Sequence, residues 1–215
     1  MKAFGLVAAI GMAGSAMAVT NPFTETFSSS AANWSSSSSF TPLNYIASGG
    51  PDGSGYASVD FSFVNNLPGD QPLVFRGQSN FGSSGNAFVG NWLAAGVTGY
   101  SFSVRQHATG PISFFARFAP AAGPGAVALF DVAAVAGEWT TYTLAISPAT
   151  PFIYEGTNFN ATFSNIARVQ VGVLVDNVTA GQVVTLDIDN VSIVPAPGVA
   201  LLPLAGLLAA GRRRR

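Results

Sequence analysis

Ile112-Ser113-Phe114-Phe115-Ala116-Arg117-Phe118 and, just before it, Tyr100-Ser101-Phe102-Ser103-Val104 put apolar side chains at every second position. A strand sends successive side chains to opposite faces, whereas an α-helix returns to the same face only every 3.6 residues, so this period belongs to half-buried strands. Val59, Phe61 and Phe63, alternating with Asp60 and Ser62, repeat it. Further out, strands are expected over residues 127–130, 139–146, 168–175 and 183–194. Between the strands lie turn-forming clusters such as Gly49-Gly50-Pro51-Asp52-Gly53, Pro68-Gly69-Asp70 and Gly123-Pro124-Gly125, where glycine admits positive φ and proline presets its own. Short strands punctuated by turns, with no long helical period, predict a single all-β sandwich over residues 19–194. No linker or internal repeat divides it.

The last of these strands carries a conflict of phase. Val184, Leu186 and Ile188 fall on even positions and Val191 and Ile193 on odd ones, so a regular strand cannot bury both sets on one face. A bulge near Asp189-Asn190, which inserts one extra residue, reconciles them. Without it Asp189 shares the inward face, where a carboxylate must find hydrogen bonds, a cation or a metal. The serine run 35–39 reads as a surface loop or edge strand rather than a flexible linker, because Trp34 and Phe40 flank it with side chains that favour burial.

The formal charge of −1 hides an asymmetry. Of the nine basic residues, Lys2 and Arg212 to Arg215 sit at the ends, which leaves Arg76, Arg105, Arg117 and Arg168 against ten acids, a body of about −6. Four scattered arginines do not provide the clustered contacts that a phosphate backbone requires, so nucleic acid is not an expected partner. Cysteine is absent, which excludes thiolate metal sites, redox motifs and a cysteine nucleophile. A body of about 175 residues buries enough surface to stand without disulfides.

Met1-Lys2, an apolar stretch from Phe4 to Met12 and the small-x-small triplet Ala16-Met17-Ala18 follow one another as in a secretory signal peptide, here residues 1–18 with cleavage after Ala18. At the other end Pro195-Ala196-Pro197 precedes an apolar run to Gly211 and then Arg212, Arg213, Arg214 and Arg215. That run is shorter than the roughly 20 residues of a straight spanning helix, and the arginines favour a cytoplasmic position for this end. Together the two ends resemble the PEP-CTERM proteins of outer-membrane bacteria, with Pro-Ala-Pro where that family has Pro-Glu-Pro. The resemblance implies a sorting tail over residues 195–215 and recognition by an exosortase-type membrane enzyme. It also implies transient anchoring in the inner membrane through a C-terminal transmembrane segment, and delivery to the cell surface or extracellular matrix alongside exopolysaccharide. It implies no activity.

Phe27 with Asn33-Trp34, the segment Ser48-Gly49-Gly50-Pro51-Asp52-Gly53-Ser54-Gly55-Tyr56, Gly137-Glu138-Trp139-Thr140-Thr141-Tyr142, and Asp187-Ile188-Asp189-Asn190-Val191 resemble the galactose-binding-like jelly-roll domains, a group with many carbohydrate-binding modules. The resemblance implies a jelly-roll sandwich and a structural Ca²⁺ held by Glu25 near the first strand and Asp187 or Asp189 in the last. Calcium accepts several oxygen ligands, backbone carbonyls among them. The other reading of these acids is hydrogen bonding to neighbouring loop amides. Sugar binding asks for an exposed aromatic platform, and Trp92, within Gly90-Asn91-Trp92, is the candidate. Trp34 and Trp139 fall where related domains pack aromatics into or against the core.

No residue set marks a reaction. His107, the only histidine, falls in a turn and reads as solvated; Glu138 and Glu155 read as surface acids, and no Gly-x-Ser-x-Gly elbow occurs. The expectation is therefore a non-enzymatic, exported surface or matrix protein associated with exopolysaccharide. One alternative is a carbohydrate-binding module with a calcium-stabilised jelly roll. The other is an enzyme acting on glycans, which needs two carboxylates converging in a cleft.

Overall fold

The computed structural model describes residues 19–195. The expected cleavage residues Ala16 and Ala18, and the expected tail from Ala196 and Pro197 to Arg215, lie outside the described residues. The strands are β1 (Phe23–Glu25), β2 (Asn44–Ile46), β3 (Tyr56–Ser62), β4 (Leu73–Gln78), β5 (Val97–Gln106), β6 (Ser113–Ala119), β7 (Ala126–Leu129), β8 (Thr140–Ala145), β9 (Ile153–Tyr154), β10 (Arg168–Leu174) and β11 (Val183–Pro195), with one short helix, α1 (Phe159–Phe163). Among the described residues, no helix is long and apolar enough to cross a membrane.

All pairings between strands are antiparallel. The first sheet runs β2-β3-β11-β5-β8, with β1 also paired to β11; the second runs β4-β10-β6-β7-β9. This is a jelly-roll-like β-sandwich. Its core follows from the alternation: Tyr100, Phe102 and Val104 of β5 and Phe114, Ala116 and Phe118 of β6 are all buried between the sheets. Each such large side chain removed from water contributes about 1.5–3 kcal/mol. Aromatic rings continue the packing at one end, where Phe118 lies 5.0 Å from Tyr100, 5.5 Å from Trp92 and 5.4 Å from Phe163.

The phase conflict in the last strand is resolved by the expected bulge. Asp189 pairs with Ser103 but Ser192 with Ser101, so β11 spends one extra residue there, and Asn190 takes it up at φ 49°. Ile188, Val191 and Ile193 are then all buried in the core. Asp187 and Asp189 remain on the opposite, outer face.

The serine run is an edge beside β4: Ser35 is bridged to both Arg76 and Pro42. Its hydroxyl accepts from the amides of Thr41 (2.8 Å) and Ser37 (3.1 Å), which folds the loop onto itself. Trp34 is buried as expected, whereas Phe40 stays 40% exposed and leans on Phe81.

Candidate functional site

Directly opposed residues in an antiparallel pair share a face, so the register gives the composition of the first sheet's outer face. Asn44 lies opposite Ser58, Ser58 opposite Asp187, and Asp187 opposite Arg105. One step along, Asp60 lies opposite Thr185, whose carbonyl accepts from the His107 amide at 3.1 Å. With Ile46 and Tyr56 these residues line a groove of about 500 Å³. Four strands thus supply its floor.

Within it Arg105 is clamped from three sides. Its guanidinium lies 4.8 Å from the Tyr56 ring and 4.7 Å from the Trp139 ring. The two rings meet edge to face at 5.5 Å. Arg105 Nε donates to Asp187 Oδ2 at 2.8 Å and Nη1 to the Gly49 carbonyl at 3.3 Å, and Trp139 Nε1 donates to the same carbonyl at 3.0 Å. His107 Nε2 also pairs with Asp187 Oδ2, at 3.1 Å. The Asp187 side chain is 2% exposed and that of His107 42%, so the histidine covers a buried carboxylate with one edge and meets solvent with the other. A guanidinium set in the notch between two nearly perpendicular rings and fixed by a carboxylate is a rigid planar group. Beside it Asp60 accepts from the Thr185 hydroxyl at 2.6 Å, and Asn44 and Ser58 complete a row of short polar side chains. Aromatic faces suit the C–H face of a pyranose, and the polar row suits its hydroxyl rim.

Asp189 belongs to a different environment. It is fully buried; Oδ1 accepts from the Asn190 amide at 2.7 Å, while Oδ2 has no hydrogen-bond partner. Burial pushes its pKa up to about 7, and the negative charges of Asp52 and Glu25 add to the rise, against the lowering by the Asn190 amide. The orphan oxygen points into a cradle. A Cβ added to Gly50 would lie 2.6 Å from Asp189 Oδ2 and 3.1 and 3.2 Å from the carbonyl oxygens of Ser54 and Gly55. Three oxygens converge where Gly50 has no side chain. This donor set fits a hard cation, with Glu25 as the nearby second carboxylate. Glu25 Oε1 otherwise accepts from the Phe27 amide at 3.0 Å. Among the described residues there is no group of three or more His, Cys, Asp or Glu side chains placed to hold a metal, so a cation here depends on the carbonyls.

The expected residues therefore separate. Glu25 lies near enough for its charge to raise the Asp189 pKa, whereas Asp187 joins Arg105 and His107. A two-residue step along a strand spans roughly 6.6 Å, and Arg105 and His107 have taken its Oδ2. Trp92 requires correction. It is fully buried, its Nε1 donates to the Phe88 carbonyl at 2.7 Å, and its ring packs on Phe118, Phe163 and Tyr100, so it offers no platform. Trp34 is in the core. Trp139, expected in or against the core, lies over Arg105 at the outer face and is only partly buried. Tyr56, Asp60, Arg105 and Asn44 were not singled out by sequence, because their proximity depends on strand order.

No protein-family model matches the chain, and no curated protein matches it. Solved structures do, at low identity. The family 11 carbohydrate-binding module of the cellulosomal cellulase Lic26A-Cel5E of Clostridium thermocellum superposes with a TM-score of 0.51 at 13% identity, over 83% of this chain and 97% of that one. The CBM22-1 and GH10 modules of xylanase 10B of the same organism, complexed with xylohexaose, give 0.51 at 17% identity, over 81% and 28%. An exo-β-agarase gives 0.54 at 12% identity, over 83% and 26%. The chain thus spans about a quarter of the xylanase and agarase structures and nearly the whole of the family 11 module. The fold of this chain is similar to that of carbohydrate-binding modules.

Proposed function

We propose that this protein is a non-catalytic carbohydrate-binding module whose ligand lies in the groove on the outer face of the first sheet. The observation that carries the reading is the Tyr56-Arg105-Trp139 stack, set beside the polar row of Asn44, Ser58 and Asp60. Fold likeness to modules of cellulases and xylanases supports it at the level of the class. In favour of a binding rather than a hydrolytic role, Asp60 and Asp187 rise from one floor on adjacent strands, and Asp187 is held by Arg105 and His107. Cleavage of a glycosidic bond needs two acids flanking the bond.

The proposal extends to setting and cofactor. The terminal segments, read as a signal peptide and a sorting tail, would direct the module to the cell surface or the matrix, against exopolysaccharide, after exosortase-type processing. Glu25, Asp189 and the carbonyls of Ser54 and Gly55 would hold a Ca²⁺ that fixes the 49–55 loop. That loop carries Gly49, the carbonyl to which both Arg105 and Trp139 are bonded, so calcium would stiffen one wall of the groove without touching the ligand. Affinity electrophoresis through gels containing xylan, agarose or mixed-linkage glucan, with and without Ca²⁺, tests the reading. Retardation by at least one glycan is expected. Equal mobility in all of them, with and without the metal, removes the function.

A further inference from the structure

The second sheet's outer face bears a charge pattern opposite to that of the groove. Register places Arg76, Gln170 and Arg117 in one row across β4, β10 and β6, with Arg168 on the next row. Three of the four arginines among the described residues thus share this face. Arg117 is satisfied: Nε and Nη2 bond both oxygens of Glu155 (2.7 and 2.6 Å), and Nη1 donates to Gln170 Oε1 at 2.7 Å. Arg168 donates to the carbonyls of Pro120 (2.6 Å) and Gly123 (2.8 Å). Glu155 is further committed to the Gly125 amide at 2.8 Å.

A guanidinium can only donate, so the oxygen of Gln170 must face Arg117 and its amide nitrogen is left toward the side of Arg76. Arg76 is again only a donor. The result is two donors without an acceptor: Gln170 Nε2 and Arg76 Nε are both buried and unpartnered, and Gln170 is fully buried. Both atoms are closed to solvent, and the charge of Arg76, beside Arg117 and Arg168, has no acid paired with it among the described residues. Burial first, and those two positive neighbours second, pull the Arg76 pKa below its ordinary value, as expected for a cation without its anion. A carboxylate supplies acceptors and charge together in the planar form that matches a guanidinium fork.

We propose that Arg76, partly exposed in front of the buried Gln170 amide, is the binding site for an oxyanion, a carboxylate of the kind borne by uronic-acid sugars, on the face opposite the groove. The oxyanion chemistry stands on this row alone, whereas a polysaccharide as its source rests on the carbohydrate-binding reading. The body's net negative charge does not forbid it. The acids of the first sheet lie across the sandwich, farther off than the roughly 10 Å between packed sheets, whereas Arg117 and Arg168 share the face of Arg76. A protein with a neutral-sugar groove on one side and an anion site on the other can bridge two strands of a matrix.

The test is calorimetric titration of the full chain in EDTA with polygalacturonate, sodium glucuronate and sodium sulfate. Polygalacturonate is expected to bind, at least tenfold more weakly to Arg76→Gln and unchanged to Trp139→Ala. Gln170→Glu places a carboxylate between the two arginines. It is expected to raise the melting temperature and to lose the anion, which guards against a trivial loss of folding in the first variant. Glucuronate or sulfate binding as tightly as the polymer, with the same sensitivity to Arg76→Gln, upholds the oxyanion site and assigns it to free anions. Binding of none of the three that responds to Arg76→Gln, undiminished binding to Gln170→Glu, or loss of polygalacturonate in Trp139→Ala alone, overturns the site. The last of these leaves the groove reading intact, and neutral glycans probe that reading separately.

Discussion

Asp187 and Asp189 stand two residues apart on one strand, face the same side of one sheet and are both almost completely buried, yet their surroundings differ in kind. Asp187 meets Arg105 of β5 and His107 just beyond its end. Asp189 meets a glycine loop, other acids and an oxygen cradle, and keeps one oxygen unpaired. A carboxylate's role here is set by what the adjacent segment offers in register. One acid is held by the side chains lining a groove, and the other is left with an unpaired oxygen facing backbone carbonyls.

The sharpest way to break this contrast is pH. Burial has moved the folded-state pKa of Asp189 from 3.8 to about 7, so the protonated form is preferred by the folded protein. Its stabilising contribution is complete below the unfolded pKa and is lost as pH rises through the folded one. The loss between pH 4 and pH 8 amounts to about 4 kcal/mol. Urea unfolding in EDTA is expected to give this difference between wild type and Asp189→Asn, with the variant the more stable at pH 8. Parallel pH profiles for the two proteins would mean that Asp189 is no more strained than Asp187.

Next in size is Asp187→Asn. Removing one partner of a buried ion pair leaves Arg105, whose side chain is 18% exposed, without its counter-charge, at a cost of about 3 kcal/mol at neutral pH. The same unfolding experiment reads it, and a cost under about 0.5 kcal/mol, the level of an exposed pair, would dissolve the distinction. Smaller again is the calcium response. A cation at a hundredfold its dissociation constant stabilises the folded state by about 2.7 kcal/mol. Gly50→Ala, which puts a methyl group 2.6 Å from Asp189 Oδ2, is expected to abolish the rise in melting temperature on adding Ca²⁺. A rise of equal size in Gly50→Ala would place the metal elsewhere.

Sequence carried the sandwich because alternation is local. The seven strands expected from it are present, and the clash of phase between Ile188 and Val191 located the bulge at Asn190. β4 escaped notice because Val74-Phe75 breaks the alternation and both are buried, at an irregularity in its pairing with β10. The site was only half legible. Glu25, Asp187 and Asp189 were singled out through a family resemblance as calcium ligands, which remains a proposal, whereas the groove joins Tyr56, Arg105, Trp139 and Asp187 from strands far apart in the chain, and no spacing announces that β11 lies between β3 and β5. Trp92 misled because its glycine-rich flanks resemble an exposed loop. The backbone there does turn, but the indole inserts into the core, where Phe118 and Phe163 receive it.

The central claim is that the outer face of the first sheet binds glycan through the Tyr56-Arg105-Trp139 stack. Calorimetric titration of wild type and Trp139→Ala with an oligosaccharide from whichever glycan retards the protein most tests it directly. Trp139 is partly exposed, so its loss should leave the fold standing while weakening binding about tenfold, or about 1.4 kcal/mol. Equal affinity in the two proteins, with unchanged melting temperatures, would contradict the assignment of the groove.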